Sequence, residues 1–204
     1  GHGRSARTDC TAGVCTYAQE IQNFANWYTY YRSRVLTARA GIGRAFAAQG
    51  TGLRVGFAAI NKDSTSIDGI STSTVVRGVR QFNGTNRSTF FSDLYNHVIP
   101  NAGTPLRAAL DDVGQYYSRS DDRGPWSTTP GSTGGDNYAC RQSYSILMTD
   151  GYWTEGSSYQ ANTSGARSDN DSSNGVTITG SNNQSYTFNA SSPFRDSRSK
   201  TLAD

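Results

Sequence analysis

Between Tyr17 and Ala48 the apolar residues Tyr17, Ile21, Phe24, Tyr28, Tyr31, Val35, Ala38, Ile42 and Ala45 recur at alternating spacings of four and three. No strand can use that period. It winds all nine onto one face of a helix. Thr16 supplies an N-cap, with Gln19 three residues on as its capping-box partner, and Gly50 ends the run. So long an aromatic stripe is expected to pack in a core rather than serve as a ligand platform. Trp27 and Tyr30 lie off the stripe, so cover is expected on more than one flank.

The rest of the chain must then supply a partner layer. Leu53 to Ile60 is an apolar run that reads as a buried strand. Asn61 to Ser73 is polar turn material, and Thr74 to Val79 reads as a second strand, antiparallel to the first and near a sheet edge. Arg87 to His97 carries a short helix pattern with Phe90, Phe91, Leu94 and Tyr95 on its apolar side. Thr104 and Pro105 read as N-cap and first position of another helix, buried through Leu106, Ala109, Leu110, Val113 and Tyr117. Ser118 to Tyr138 reads as a long exposed loop, and Tyr144 to Thr149 as a buried strand ending at Asp150-Gly151. After a polar loop from Glu155 to Asn174, Val176–Ile178 and Ser185–Phe188 form a hairpin around Gly180-Ser181-Asn182-Asn183. Ser199 to Asp204 looks like the first turn of a further helix. This order predicts an α/β fold with helices on both faces of a sheet.

Composition narrows the class. The 204 residues suit one domain, and no run approaches the roughly 20 apolar residues of a membrane span. All but Lys62 and Lys200 of the nineteen basic residues are arginine, and the net charge is only +3. Acids are interleaved, as at Arg119 to Arg123, which argues against a nucleic-acid reader. Cys10 and Cys15 flank a stretch that can turn and form a disulfide candidate, while Cys140 is left over. No C-x-x-C spacing suggests zinc. A short disulfide loop in a chain rich in Ser, Thr, Asn, Gly and Tyr favours export.

Thr104 and Asp150 are the residues that suggest chemistry. Each is placed at the same expected end of an α/β sheet, where ligands bind. A hydroxyl and a carboxylate are hard oxygen donors that suit Mg²⁺ or Ca²⁺, and Gly103 and Gly151 let the backbone come close. Either residue could equally be a helix cap or a strand-end turn. Asp169 to Gly175 begins like a calcium loop, but its glycine is one place late and no glutamate closes it, so it reads as an ordinary polar loop. His97 has no visible partner and reads as structural or exposed. Asp111 and Asp112 point about 100° apart on a helix and make no facing acid–base pair. No nucleophile elbow, phosphate loop or dinucleotide fingerprint occurs, so the chain does not read as an enzyme. A metal-independent alternative is sugar stacking on Trp126, Trp153 and the tyrosine-rich loops.

Four blocks carry a resemblance. EIQNFANWYTYYRSR from Glu20 to Arg34, GTPLR from Gly103 to Arg107, ILMTDGYW from Ile146 to Trp153 and SKTLAD from Ser199 to Asp204 resemble the von Willebrand factor A domain of the PilY family of type IV pilus tip proteins. The resemblance runs from about Thr16 to the end. It implies a von Willebrand factor A-like, Rossmann-like fold: a mostly parallel sheet flanked by helices, with long polar loops and an inserted hairpin. It implies one domain over 1–204, incomplete at both ends, with a short segment 1–15 and an insertion at 155–198. It further implies a metal-ion-dependent adhesion site in which Thr104 and Asp150 are ligands. The family's Asp-x-Ser-x-Ser loop, which follows a first central strand, has no counterpart here, and Asp63 to Ser66 has the wrong spacing. The ion, Mg²⁺ or Ca²⁺, is therefore expected to be weakly held by this chain alone. Expected partners are minor pilins or other pilus-tip components and a host or surface ligand bearing an acidic group. Expected location is the bacterial surface, at the pilus tip or outer membrane, with roles in pilus biogenesis, attachment and surface sensing.

Overall fold

The computed structural model describes residues 7–10, 13–138, 140–149, 151–154, 170–180, 182–193 and 195. The long helical stretch is two helices, α1 (Tyr17–Tyr31) and α2 (Arg34–Ala47). Thr16 and Gln19 form the expected capping box. The break falls at Ser33, whose backbone is extended and whose hydroxyl accepts the Leu36 N–H at 3.3 Å. A serine there satisfies an otherwise orphaned donor and starts a new helix. The Cys10–Cys15 disulfide forms just ahead of α1, and Cys140 is an exposed free thiol.

The aromatic stripe of α1 does not enter a core. No residue of α1 is buried, and Tyr17 is 81% exposed. Phe24 packs on Trp27 and Tyr28, with ring centroids 5.9 and 6.1 Å apart, and the Arg32 guanidinium lies over Tyr28 at 4.8 Å. Burial begins in α2. Its Ile42 and Phe46 join Val55 and Phe57 of β1 (Arg54–Ala58), Phe82, and Phe90, Phe91 and Leu94 of α3 (Gly84–Asn96). Phe90 lies at the centre, 5.0 Å from Phe46 and 5.4 Å from both Phe82 and Phe91. A second cluster unites Val75 and Val79 of β4 (Val75–Gln81) with Tyr116 of α4 (Leu106–Tyr117).

β1 pairs antiparallel with β4, as the alternation predicted, with irregular register around Gly56. Between them, 61–73 is more than a turn. It holds the hairpin β2 (Thr65–Ile67) and β3 (Ile70–Thr72), closed by Asp68 and Gly69 at φ 53° and 88°. An Asp-Gly pair between two isoleucines is a strong two-residue hairpin signal. The expected later hairpin is also present, as β5 (Thr177–Thr179) and β6 (Ser185–Thr187).

Two further expectations are corrected. Residues 144–149 form no strand, and Tyr144, Ile146 and Met148 are exposed. Among the described residues every sheet is a two-stranded antiparallel pair, so this apolar run has no neighbour to hydrogen-bond. The loop at 118–138 is compact, not wholly exposed: Ser127 is fully buried and bridges to Asn137. Trp126 is half-buried, donates its indole N–H to the Tyr117 carbonyl at 2.7 Å and packs its ring on Tyr117. Its indole N–H is thereby engaged and its ring partly covered. Ser199–Asp204 lies outside the described residues, as do 155–169, 181, 194 and 196–198. No described helix is long and apolar enough to cross a membrane.

Candidate functional site

The loop between α3 and α4 carries Thr104, and its neighbours define the site. Asn61, just past β1, donates its side-chain amide to the Gly103 carbonyl at 3.1 Å. The Thr104 N–H donates to the Thr154 hydroxyl, and the Thr154 N–H returns to the Thr104 carbonyl at 3.1 Å. Gly103 lets the two segments come close: a Cβ there would meet the Thr154 hydroxyl, which would have to shift. In the first turn of α4, the Arg107 guanidinium lies 5.7 Å from the centre of the Trp153 ring. The 103–107 block and the segment 151–154 therefore touch at three points, although they are distant in sequence.

Asp150 itself lies outside the described residues. Gly151 follows it at φ 140°, a conformation that side chains rarely adopt. Thr104 is not the cap of α4. Pro105 occupies that position, no side chain caps the helix, and the Thr104 carbonyl accepts the Leu106 N–H at 2.9 Å. The threonine hydroxyl is thus not committed to the helix terminus. Among the described residues no group of three or more His, Cys, Asp or Glu could hold a metal ion. The hard-donor set that the structure describes is therefore incomplete for an ion that prefers six oxygens.

A cavity of about 480 Å³ adjoins this rim, lined in part by Asn61, Lys62, Asp63, Thr65, His97 and Pro100. Lys62 spends its ammonium on the Asp63 and Thr72 carbonyls and the Thr65 hydroxyl, at 3.1, 2.8 and 2.7 Å. Burial lowers its pKa. His97 is structural, as expected: its ring stands edge-on to Phe57 at 5.9 Å, and its carbonyl accepts from Arg39. Burial, then the charges of Arg39 and Lys62, depress its pKa.

The remaining carboxylates serve the fold. Asp112 is buried and accepts from the Thr72 hydroxyl at 2.9 Å and the Ser73 N–H at 3.1 Å. Asp111 instead accepts from Gln115 at 3.0 Å, so the two do not face each other. In the calcium-loop candidate, Asp169 lies outside the described residues, and Asp171 sits buried in a single 3-10 turn at Asn170–Ser172. Sequence reasoning missed Asn61 and Thr154 as the residues that tie the rim together. The one available signal was position: each is a polar residue shortly after an apolar run.

The chain is similar to segments of three curated proteins, each described as type IV pilus biogenesis factor PilY1 of Pseudomonas aeruginosa. It is 35% identical over 187 residues to that of strain PAK, covering 92% of this chain and 15% of the relative. It is 33% identical over 208 residues to that of strain UCBPP-PA14, covering 98% and 16%. The PAO1 relative is 33% identical over 190 residues, or 91% and 15%. The chain thus spans about one sixth of the relatives' length or less. No family model matches it. No solved structure matches it.

Proposed function

From similarities that support membership in the PilY family, we propose that this chain is an adhesion module within a type IV pilus biogenesis factor. It has a von Willebrand factor A-like fold and acts at the cell surface without catalysis. The rim at Thr104 and Asp150 takes Mg²⁺ or Ca²⁺, and the ion's open position takes an acidic group on a pilus component or a surface ligand. The observation that carries this reading is the closure of the Thr104 loop onto the residues that follow Asp150. An ion held by two sequence-distant oxygens needs that convergence.

A second feature supports the fold assignment. β1 and the extended run 141–149 share anchors at both ends: Arg54 and Arg141 both donate to the Ser127 carbonyl. Beyond their other ends, Asn61 and Thr154 both bond the 103–104 backbone. The two runs therefore lie in the same direction without pairing, as two strands of a parallel sheet would with another between them. That strand would carry the remaining metal ligands. The sugar-stacking alternative has less support, because Trp126 is packed and the Trp153 ring carries Arg107.

The test is titration of the chain with Mn²⁺ while amide resonances are followed. Selective broadening at Gly103, Thr104, Gly151 and Trp153, competed by Mg²⁺ or Ca²⁺ and lost in Thr104→Ala and Asp150→Ala, is the expected result. Uniform broadening, or broadening that survives both substitutions, rejects the site. Attachment by the intact pilus factor should fail in EDTA and return with Mg²⁺ or Ca²⁺.

A further inference from the structure

At the end of β1 remote from Thr104, two guanidinium groups meet on one carbonyl. Arg54 opens β1 and donates from Nη1 to the Ser127 oxygen at 2.7 Å and to the Pro125 oxygen at 3.4 Å. Arg141 donates from its own Nη1 to the same Ser127 oxygen at 3.3 Å. Ser127 is a fixed point, fully buried, with its N–H on the Gly124 carbonyl at 3.2 Å. The Tyr138 ring flanks the Arg141 guanidinium, 5.2 Å from its centre.

Two like charges held this close repel, and partial burial weakens the solvent that would screen them. Burial and then the Arg141 charge lower the pKa of Arg54. Several other arginines pair with an acid: Arg7 with Asp9 and Glu20, Arg77 with Asp93, Arg80 with Asp68, and Arg119 with Asp121, whereas Arg87 is held by the Gln49 and Ala47 carbonyls. Among the described residues Arg54 and Arg141 have none. Nearby acids are turned elsewhere: Asp121 accepts from Arg119 and the Arg123 N–H, and Asp122 accepts the Gly134 N–H. Both guanidiniums spend only Nη1 on protein oxygens, so Nη2 and Nε of each have no described acceptor.

We propose that Arg54 and Arg141 form a clamp for a single carboxylate, supplied by an acidic side chain of a polypeptide segment lying across the start of β1. A carboxylate offers two oxygens in one plane, one for each fork, and its charge relieves the repulsion between the guanidiniums. Such charge-assisted hydrogen bonds beside a buried carbonyl would fix the register of that segment. This clamp is independent of the ion at Thr104, which lies at the other end of β1.

The experiment is an NMR titration of the 204-residue chain with acetate, read at the arginine Nε resonances, against chloride at equal ionic strength. Acetate should give saturating shifts at Arg54 and Arg141 only, and an N-acetyl-aspartate amide probe should do the same. Arg141→Gln should weaken binding about tenfold, the equivalent of one charge-assisted hydrogen bond. Arg54→Lys keeps the charge but loses the fork and should weaken it too, while the amides of Phe90 and Leu94 stay unmoved. Equal response to chloride overturns the clamp. So does saturation that survives both substitutions, or inorganic phosphate saturating the site at lower concentration than either carboxylate.

Discussion

Tyr116→Phe isolates one hydroxyl that ties three elements together. The Tyr116 hydroxyl accepts the Val79 N–H at 2.9 Å and donates to Asp68 Oδ2 at 2.8 Å. Asp68 sits in the β2–β3 turn and also receives Arg80, with one bond at 3.0 Å. Gly78 is what admits this carboxylate, since a Cβ there would collide with it. Phenylalanine keeps the ring contacts with Val75, Val79 and Tyr117, so the packing term is nearly unchanged. The Val79 N–H is then left buried without a partner, at about 1–3 kcal/mol. Asp68 keeps Arg80, so losing the phenol bond adds about 1 kcal/mol. The expected loss of about 2–4 kcal/mol is a large share of a typical folding free energy. Urea unfolding at pH 7 should show a lower midpoint at unchanged slope. Alkaline pH gives a second readout. Burial, then the Asp68 charge, raises the Tyr116 pKa above the ordinary phenol value. Above about pH 10 the unfolded chain therefore releases this proton while the folded chain keeps it, and stability falls as pH rises. Tyr117, also raised by burial, leaves a residual slope, so the variant's slope should be shallower but not flat. A midpoint within about 0.5 kcal/mol of the parent, or an unaltered alkaline slope, would refute the network's role.

Phe90→Ala should cost about 3–5 kcal/mol, because Phe90 is 2% exposed and touches Phe46, Phe57, Phe82 and Phe91; denaturant titration measures it, while Phe24→Ala on exposed α1 should change stability little. His97, whose pKa is depressed in the folded chain, contributes stability that is present above about pH 6.5 and lost as pH falls through the folded value. Thermal melts from pH 7 to 5 should show that decline, and His97→Gln should flatten it.

The helices were legible where local pattern and capping chemistry agree: Thr16 with Gln19 starts α1, and the apolar side of α3 is the side that packs, but the unbroken period hid the break at Ser33, and Thr104 does not cap α4. The β1–β4 pair was legible because an apolar run and an alternating run lie close in the chain. Asp68-Gly69 was also written in the sequence, but the surrounding Ser and Thr masked a hairpin only three residues deep on each side. The candidate rim was half legible. Residue type marked Thr104 as a hard donor, yet the ties through Asn61 and Thr154 arise from tertiary closure, which no spacing encodes.

The exposed aromatic face of α1 and the unpaired run at 144–149 have one cause in common. Apolar period states what a segment must bury, never against what. Tyr28 carries the same signal as Ile42, yet only Ile42 joins a core cluster, because α2 reaches α3 and α1 does not. Ile146 and Met148 carry the same signal as Val55 and Phe57, yet β1 has β4 beside it and 144–149 has no described neighbour. Surfaces this apolar rarely stay bare on a soluble domain, and unpaired strand backbone is a template for pairing. A strand lying between β1 and 144–149 would give both free edges the hydrogen bonds they lack. Under the fold proposed above, that strand would run parallel to both, between Ser127 at one end and the 103–104 loop at the other.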